Sequence, residues 1–219
     1  MDRDRRVTLL HDLMTPVVED VAGALMASGT EVVLLEAKDD LDALAAGVRQ
    51  RRPDLVFNLV ERFAGNPRLS PDVAAALDLI GVPYTGAGPP GLYLGADAEL
   101  AKRLLISYGV AAPALVGPTI RLAVVGNDRL AVFPAGESLT RVLARGFAAL
   151  RLRDYALVEV VLDPEPAILR AVPNPSLGRN DELAQVAASA GLAYEDLVLS
   201  IADEAWERHK EVAVAVKSA

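Results

Sequence analysis

Side chains able to carry chemistry are sparse in this chain and gather at a few places. Asn58 and Glu61 stand in an Asn-Leu-Val-Glu run, where they either line a cleft or hold loop backbone. Tyr84, Thr85 and Gly86 lie in the turn-rich stretch GVPYTGAGPPG at 81–91. Glu159 and Arg170 flank Asp163-Pro164-Glu165-Pro166, a turn signal between two apolar, β-like runs. If that hairpin turns symmetrically, Glu159 opposes Arg170 and Leu157 opposes Val172, giving a cross-strand ion pair beside an apolar pair. His11, just past the first apolar run, has no acid in view and reads as a capping or loop residue. Trp206 and His209 sit on the last helix, beside a packing stripe of Leu197, Ile201 and Ala205. There is no cysteine, which removes thiolate metal sites and thiol nucleophiles. No Gly-rich dinucleotide fingerprint, P-loop, HExxH or GxSxG motif occurs.

The elements that must hold these residues follow from hydrophobic periodicity. Apolar runs at 7–10, 31–35 and 55–59 read as buried strands, separated by helical patterns. Val17, Val21 and Leu25 mark the first helix, and Leu41, Leu44 and Val48 the second. Ser70 as N-cap, Pro71 in the first turn, a stripe of Val73, Leu77 and Ile80, and Gly81 as terminator define the third. This is the pattern of a small doubly wound α/β lobe with a parallel sheet. After the Gly/Pro-rich stretch and a helix at 97–108, the second half reads as α+β. It has hairpins at 119–125 with 129–133 and at 156–162 with 167–172, and helices near 138–150, 181–190 and 194–210. The expected lobes are 1–96 and 97–219.

Composition narrows the function. With 219 residues and 52% of them hydrophobic, the chain can bury one or two substantial cores, and disorder is not expected. A net charge of −8 and only four lysines argue against a nucleic-acid partner. Arg49, Arg51 and Arg52 end a helix, where cations complement the dipole. No apolar run is long enough for a membrane span, and the first residues lack the apolar core of a signal peptide, so a cytoplasmic protein is expected.

Four blocks, in order, carry a resemblance. They are PDLVFNLVE at 53–61; LDLIGVPYTGAG at 77–88 with DAELAKRLLISYGVAAPA at 97–114; RLAVVGN at 121–127; and RDYALVEVVLDPEPAILRAVPNPSL at 153–177 with AGLAYEDLV at 190–198. Together they resemble the D-alanine:D-alanine ligase-like branch of the ATP-grasp superfamily. The resemblance implies a pre-ATP-grasp lobe followed by a reduced α+β ATP-grasp core. It also implies an ancestry in which ATP phosphorylates a carboxylate and an amine attacks the acyl phosphate. That chemistry needs magnesium and cationic groups on the transferred phosphoryl.

Position by position, the resemblance implies that most of this machinery is missing. The metal-binding triplets fall on Leu157-Val158-Glu159 and Arg170-Ala171-Val172, so only Glu159 keeps a carboxylate. Leu157 stands where an oxyanion-steadying Arg is expected, Arg170 where a metal-binding Glu is expected, and Val172 where an Asn is expected. The Arg170 guanidinium is expected to fill the space of the lost magnesium. A phosphate-binding Lys is replaced in the pair Asp97-Ala98, and Lys102, one turn later, reads as a solvent-facing residue. The family's clamp lobe has no room where Ala114 runs through Leu115 and Val116 to Gly117. Tyr84, Thr85, Gly86 and Asp97 remain as weak nucleotide-site candidates, and Pro173-Asn174-Pro175 keeps the loop shape.

The leading expectation is therefore a catalytically inactive relative that works by association, as a homodimer or with an intact ligase-like partner, with no cofactor. A second is a minimal ATP- and magnesium-dependent carboxylate-amine ligase completed from elsewhere in the chain or by a partner. A third is a small-anion or metabolite sensor.

Overall fold

The computed structural model describes residues 5–110, 118–127, 131–133, 137–162 and 165–217. In chain order these form β1 (Arg6–His11), α1 (Pro16–Ala27), β2 (Glu31–Glu36), α2 (Leu41–Arg51), β3 (Leu55–Asn58), α3 (Ser70–Ile80), α4 (Pro89–Ala96) and α5 (Ala98–Ser107). Then follow β4 (Thr119–Val125), β5 (Ala131–Phe133), α6 (Glu137–Leu150), β6 (Tyr155–Val161), β7 (Ala167–Pro173), α7 (Glu182–Ser189) and α8 (Tyr194–Lys217). Two compact units result. One holds the residues up to Thr85, Leu177–Arg179 and the residues from Tyr194 on; the other holds Gly86–Ser176 and Asn180–Ala193.

In the first unit β1 lies between β2 and β3, parallel to both, in the order β2-β1-β3. Val7, Leu9, Leu10, Val56 and Phe57 are fully buried, as expected of strands covered on both faces. The β1 to β2 and β2 to β3 connections run in opposite directions across the sheet, and right-handed crossovers then send α1 and α2 to opposite faces. There α1 packs with α8 and α2 with α3. Two helical stripes differ from the sequence reading: Val18, Val21, Ala24 and Leu25 are the buried residues of α1, and Leu41 of α2 is exposed while Leu44, Gly47 and Val48 are buried. Each helix is rotated by the strand it must cover. In α3, Ser70 is already helical and its hydroxyl donates to the Pro67 carbonyl at 3.1 Å, so Leu69 takes the cap position.

The second unit is built on an antiparallel sheet ordered β5-β4-β6-β7. Leu122, Val124, Ala156, Val158, Val160 and Ile168 form its core with Leu105 of α5 and Leu143 and Phe147 of α6. On α7, Leu183 and Ala187 are fully buried, and this helix packs against β4. The helix α4 has no counterpart in the sequence reading, which treats its Gly/Pro content as turn signal. Pro89 sits in its first turn, behind Gly88 as N-cap, where a missing N–H costs nothing. A side chain on Gly95 would strike the ring of Pro173 on β7, so this glycine permits close helix–strand packing. That packing makes α4 part of the second unit, and the boundary at 96/97 falls inside that unit instead of between the two. Among the described residues no helix is long and apolar enough to cross a membrane.

Candidate functional site

Three residues form a charged row across the antiparallel sheet. Arg121 of β4 stands opposite Glu159 of β6, and Glu159 stands opposite Arg170 of β7. Residues directly opposed across antiparallel strands share a face. One step along that face lies an apolar row of Ala123, Leu157 and Val172, while the intervening Leu122, Val158 and Ala171 turn to the helix-covered core. A cavity of about 330 Å³ borders the charged face, lined also by Ser176, Asp181 and Glu182.

The expected hairpin register is met at both positions that matter, since Glu159 opposes Arg170 and Leu157 opposes Val172. The expected ion pair is not: among the described residues no ion pair joins Glu159 and Arg170. The reason lies next to them. Beyond Glu159 the register slips so that Val160 faces Ile168, leaving Leu169 as an extra residue on β7. A bulge bends its strand and re-aims the adjacent side chains. Arg170 is exposed and lines a second cavity as well as the first. Symmetric counting from the turn therefore fails on the turn side of the bulge.

Magnesium takes near-octahedral oxygen ligation, commonly with one or two protein carboxylates. Here Glu159 is flanked in register by two arginines, Glu182 pairs with Arg121, and Asp181 accepts the Ser176 hydroxyl at 2.6 Å. This donor set does not fit the ion. Among the described residues no group of three or more His, Asp or Glu side chains is placed to hold a metal. Leu157, at 9% exposure, and the half-buried Val172 offer no donor atoms.

The second cavity, about 530 Å³, lies beside α5 and β7. Ala98, the first helical residue of α5, forms part of its wall, and Lys102 lies on its lining. Lys102 is exposed, as the sequence implies, but at a cavity instead of on an empty helix face. Asp97 caps the helix: its carboxylate accepts the Leu100 N–H at 3.0 Å.

The turn residues proposed for nucleotide contact are engaged in holding the fold. In the first unit Tyr84 bridges to Val56 of β3, and its phenol donates to Asp78 at 2.8 Å. Thr85 is fully buried, and its hydroxyl accepts the Asn58 N–H at 2.9 Å. Asn58 in turn accepts the Val60 N–H at 3.2 Å, the loop-backbone role. In the second unit Gly86 has φ of 90°, and any side chain there would meet Asn174. Its N–H donates to Asp154 at 2.7 Å and its carbonyl accepts from Arg153 at 2.9 Å.

Asp154 and Asn174 are the polar anchors that sequence reasoning missed. Asp154 is fully buried and also accepts from the Asn127 side-chain amide at 3.1 Å, while its own N–H donates back to Asn127 at 3.0 Å. Asn174 accepts the Ala87 N–H at 2.7 Å. The available signal was an Asp before a strand and an Asn between two prolines, both residue types that tolerate the positive φ found at each.

His11 is the last residue of β1, not a loop residue, and its buried Nδ1 has no hydrogen-bond partner. On α8, burial and then the neighbouring Arg208 charge hold the His209 pKa below the usual histidine range. The stripe of Leu197, Ile201 and Ala205 is fully buried, as expected, and the Arg5 guanidinium lies 4.2 Å from the centre of the Trp206 ring. The stretch 111–117, which includes Ala114 to Gly117, lies outside the described residues, as does the turn at 163–164.

The chain is similar to known proteins in sequence over part of its length and in fold. A D-alanine–D-alanine ligase of Erythrobacter litoralis is 36% identical over 96 residues, which cover 43% of this chain and 28% of that protein. The chain thus spans under a third of the length of the curated relatives it matches. Among solved structures, the D-alanine–D-alanine ligase from Coxiella burnetii matches with a TM-score of 0.78 at 12% identity, covering 99% of this chain and 98% of that one. The Bacillus anthracis enzyme complexed with ATP matches with a TM-score of 0.75 at 13% identity, covering 94% and 99%. No family model matches. In fold the chain resembles these D-alanine–D-alanine ligases along nearly its whole length. In sequence the resemblance extends over less than half of it.

Proposed function

We propose that this chain is a catalytically inactive member of the ligase-like branch, acting by binding instead of by ligation. The observation that carries the reading is the row of Arg121, Glu159 and Arg170, which sets an arginine on each neighbouring strand in register with the only carboxylate left at the positions corresponding to metal ligands. A cation in place of an anionic ligand repels magnesium, and without the ion the β- and γ-phosphate oxygens lose the cation that bridges them. The replacement of the neighbouring polar positions by Leu157 and Val172 supports the same loss. The association this reading invokes is a homodimer or a complex with an intact ligase-like partner, and light scattering across a concentration series tests the first.

A second reading, a minimal ATP- and magnesium-dependent carboxylate-amine ligase, draws on Asp181 and Glu182, which line the same cavity as Glu159. Phosphate release decides between the two. With ATP, magnesium and amino-acid pairs, including D-alanine alone, the inactive reading expects no release above a no-protein control. Release that depends on an amino-acid pair and is abolished by Glu159→Gln would establish the ligase.

A further inference from the structure

We infer that the cavity of about 530 Å³ beside α5 and β7 is a binding site for a small monocarboxylate with an apolar body. Its size falls within the range of small-molecule pockets, roughly 300–1,000 Å³. Its depth is set by core residues: Leu105, Leu152 and Ile168, at 5%, 9% and 3% exposure, form part of its wall. Small residues, Gly95, Ala98 and Ala101, line it as well and leave the space open.

Charge selects the ligand. Lys102 and Arg170 line the cavity, and among the described residues neither has an ion-pair partner. Two carboxylates line it too. Glu99 is neutralised by Arg103 at 3.1 Å, whereas Glu159 is not paired. Two free cations against one free carboxylate leave a net charge of about +1, which suits a monoanion and disfavours a polyphosphate facing Glu159. A guanidinium fork matches a planar carboxylate, and the ammonium of Lys102 adds a second donor. Apolar walls then take an alkyl or aryl tail.

This inference rests on the reading of a protein that binds without ligating, and gives that binding a chemical class. Decanoate, titrated calorimetrically below its micelle-forming range, is the probe; decanol carries the same tail without charge, and magnesium-ATP tests the parent reading separately. Decanoate is expected to bind at least tenfold more tightly than decanol. Lys102→Met is expected to weaken decanoate about tenfold, and Ala98→Leu, which fills the wall, more than that. Glu159→Gln is expected to tighten it a few-fold, a response that unspecific adsorption of an amphiphile would not give. Lys102 is an exposed helix residue, so Lys102→Met keeps the test sound if Ala98→Leu fails to fold. Equal affinity for decanoate and decanol, binding indifferent to Lys102→Met, or no decanoate binding overturns the inference. Silence of magnesium-ATP in the same series leaves the parent reading standing, whereas turnover would remove that reading whatever decanoate does.

Discussion

The two units treat their polar residues differently. In the parallel-sheet unit several groups at the carboxyl edge are consumed by the fold, though the buried Nδ1 of His11 is not: Thr85 binds the backbone of Asn58, Asn58 binds the backbone of Val60, and Tyr84 binds Asp78. In the antiparallel unit the edges are tied as firmly, through Asp154 and Asn174, yet among the described residues Glu159 and Arg170 on one sheet face make no ion pair. A polar residue spent on backbone hydrogen bonds persists for stability whether or not chemistry survives. An unspent charge beside a cavity is where function is to be sought, and here the pair is one carboxylate and one guanidinium.

This contrast can be broken. The largest effect is expected from Asp154→Ala, which strands the buried Gly86 N–H and the Asn127 amide; about 2–4 kcal/mol should be lost in urea unfolding. Loss below about 1 kcal/mol would mean that Asp154 is not a structural anchor. Next is Gly86→Ala, where positive φ and the crowding of Asn174 together predict about 1–3 kcal/mol of destabilisation, read from the same curves.

A double substitution sharpens the comparison from the other side. Arg170→Glu with Val172→Asn returns oxygen donors to the face of Glu159. Magnesium at ten times its dissociation constant should then stabilise the variant by about 1.4 kcal/mol in a thermal melt, while leaving the parent chain unchanged. A response equal in both proteins would show that the arginine does not exclude the ion.

The smallest effect concerns His209. Its pKa is depressed by burial, so the unfolded chain binds the proton more readily. Its contribution to stability is complete above the unfolded histidine pKa, near 6.5, and declines as pH falls below it. His209→Gln should flatten this part of the pH–stability curve; an unchanged curve would assign the slope to another group.

Much of the framework was legible because burial on two faces forces continuous apolar runs. The strands β1 and β3 follow from that rule, and the stripe of Leu197, Ile201 and Ala205 follows from the burial of one helix face. Symmetric counting meets the facing of Glu159 and Arg170 only because the extra residue Leu169 offsets the pairs nearer the turn, where Val161 faces Ala167. What escaped depends on contacts distant in sequence. The helix α4 exists because Gly95 lets it approach Pro173, and composition alone makes the same residues look like a loop. The extra residue Leu169 has no local signature among β-formers, yet it re-aims Arg170 and opens the expected ion pair. Asp154 has no local signal beyond its place before a strand, and only the fold brings Gly86 and Asn127 to it.

The proposal that this ligase-like chain carries arginines in place of a metal site is tested most directly by melting the protein with ATP to millimolar concentration, with and without magnesium. A ligand at 100 times its dissociation constant stabilises by about 2.7 kcal/mol, which a melt resolves. The account predicts no magnesium-dependent shift. A magnesium-dependent rise in melting temperature that Glu159→Gln removes would contradict it and restore the catalytic reading.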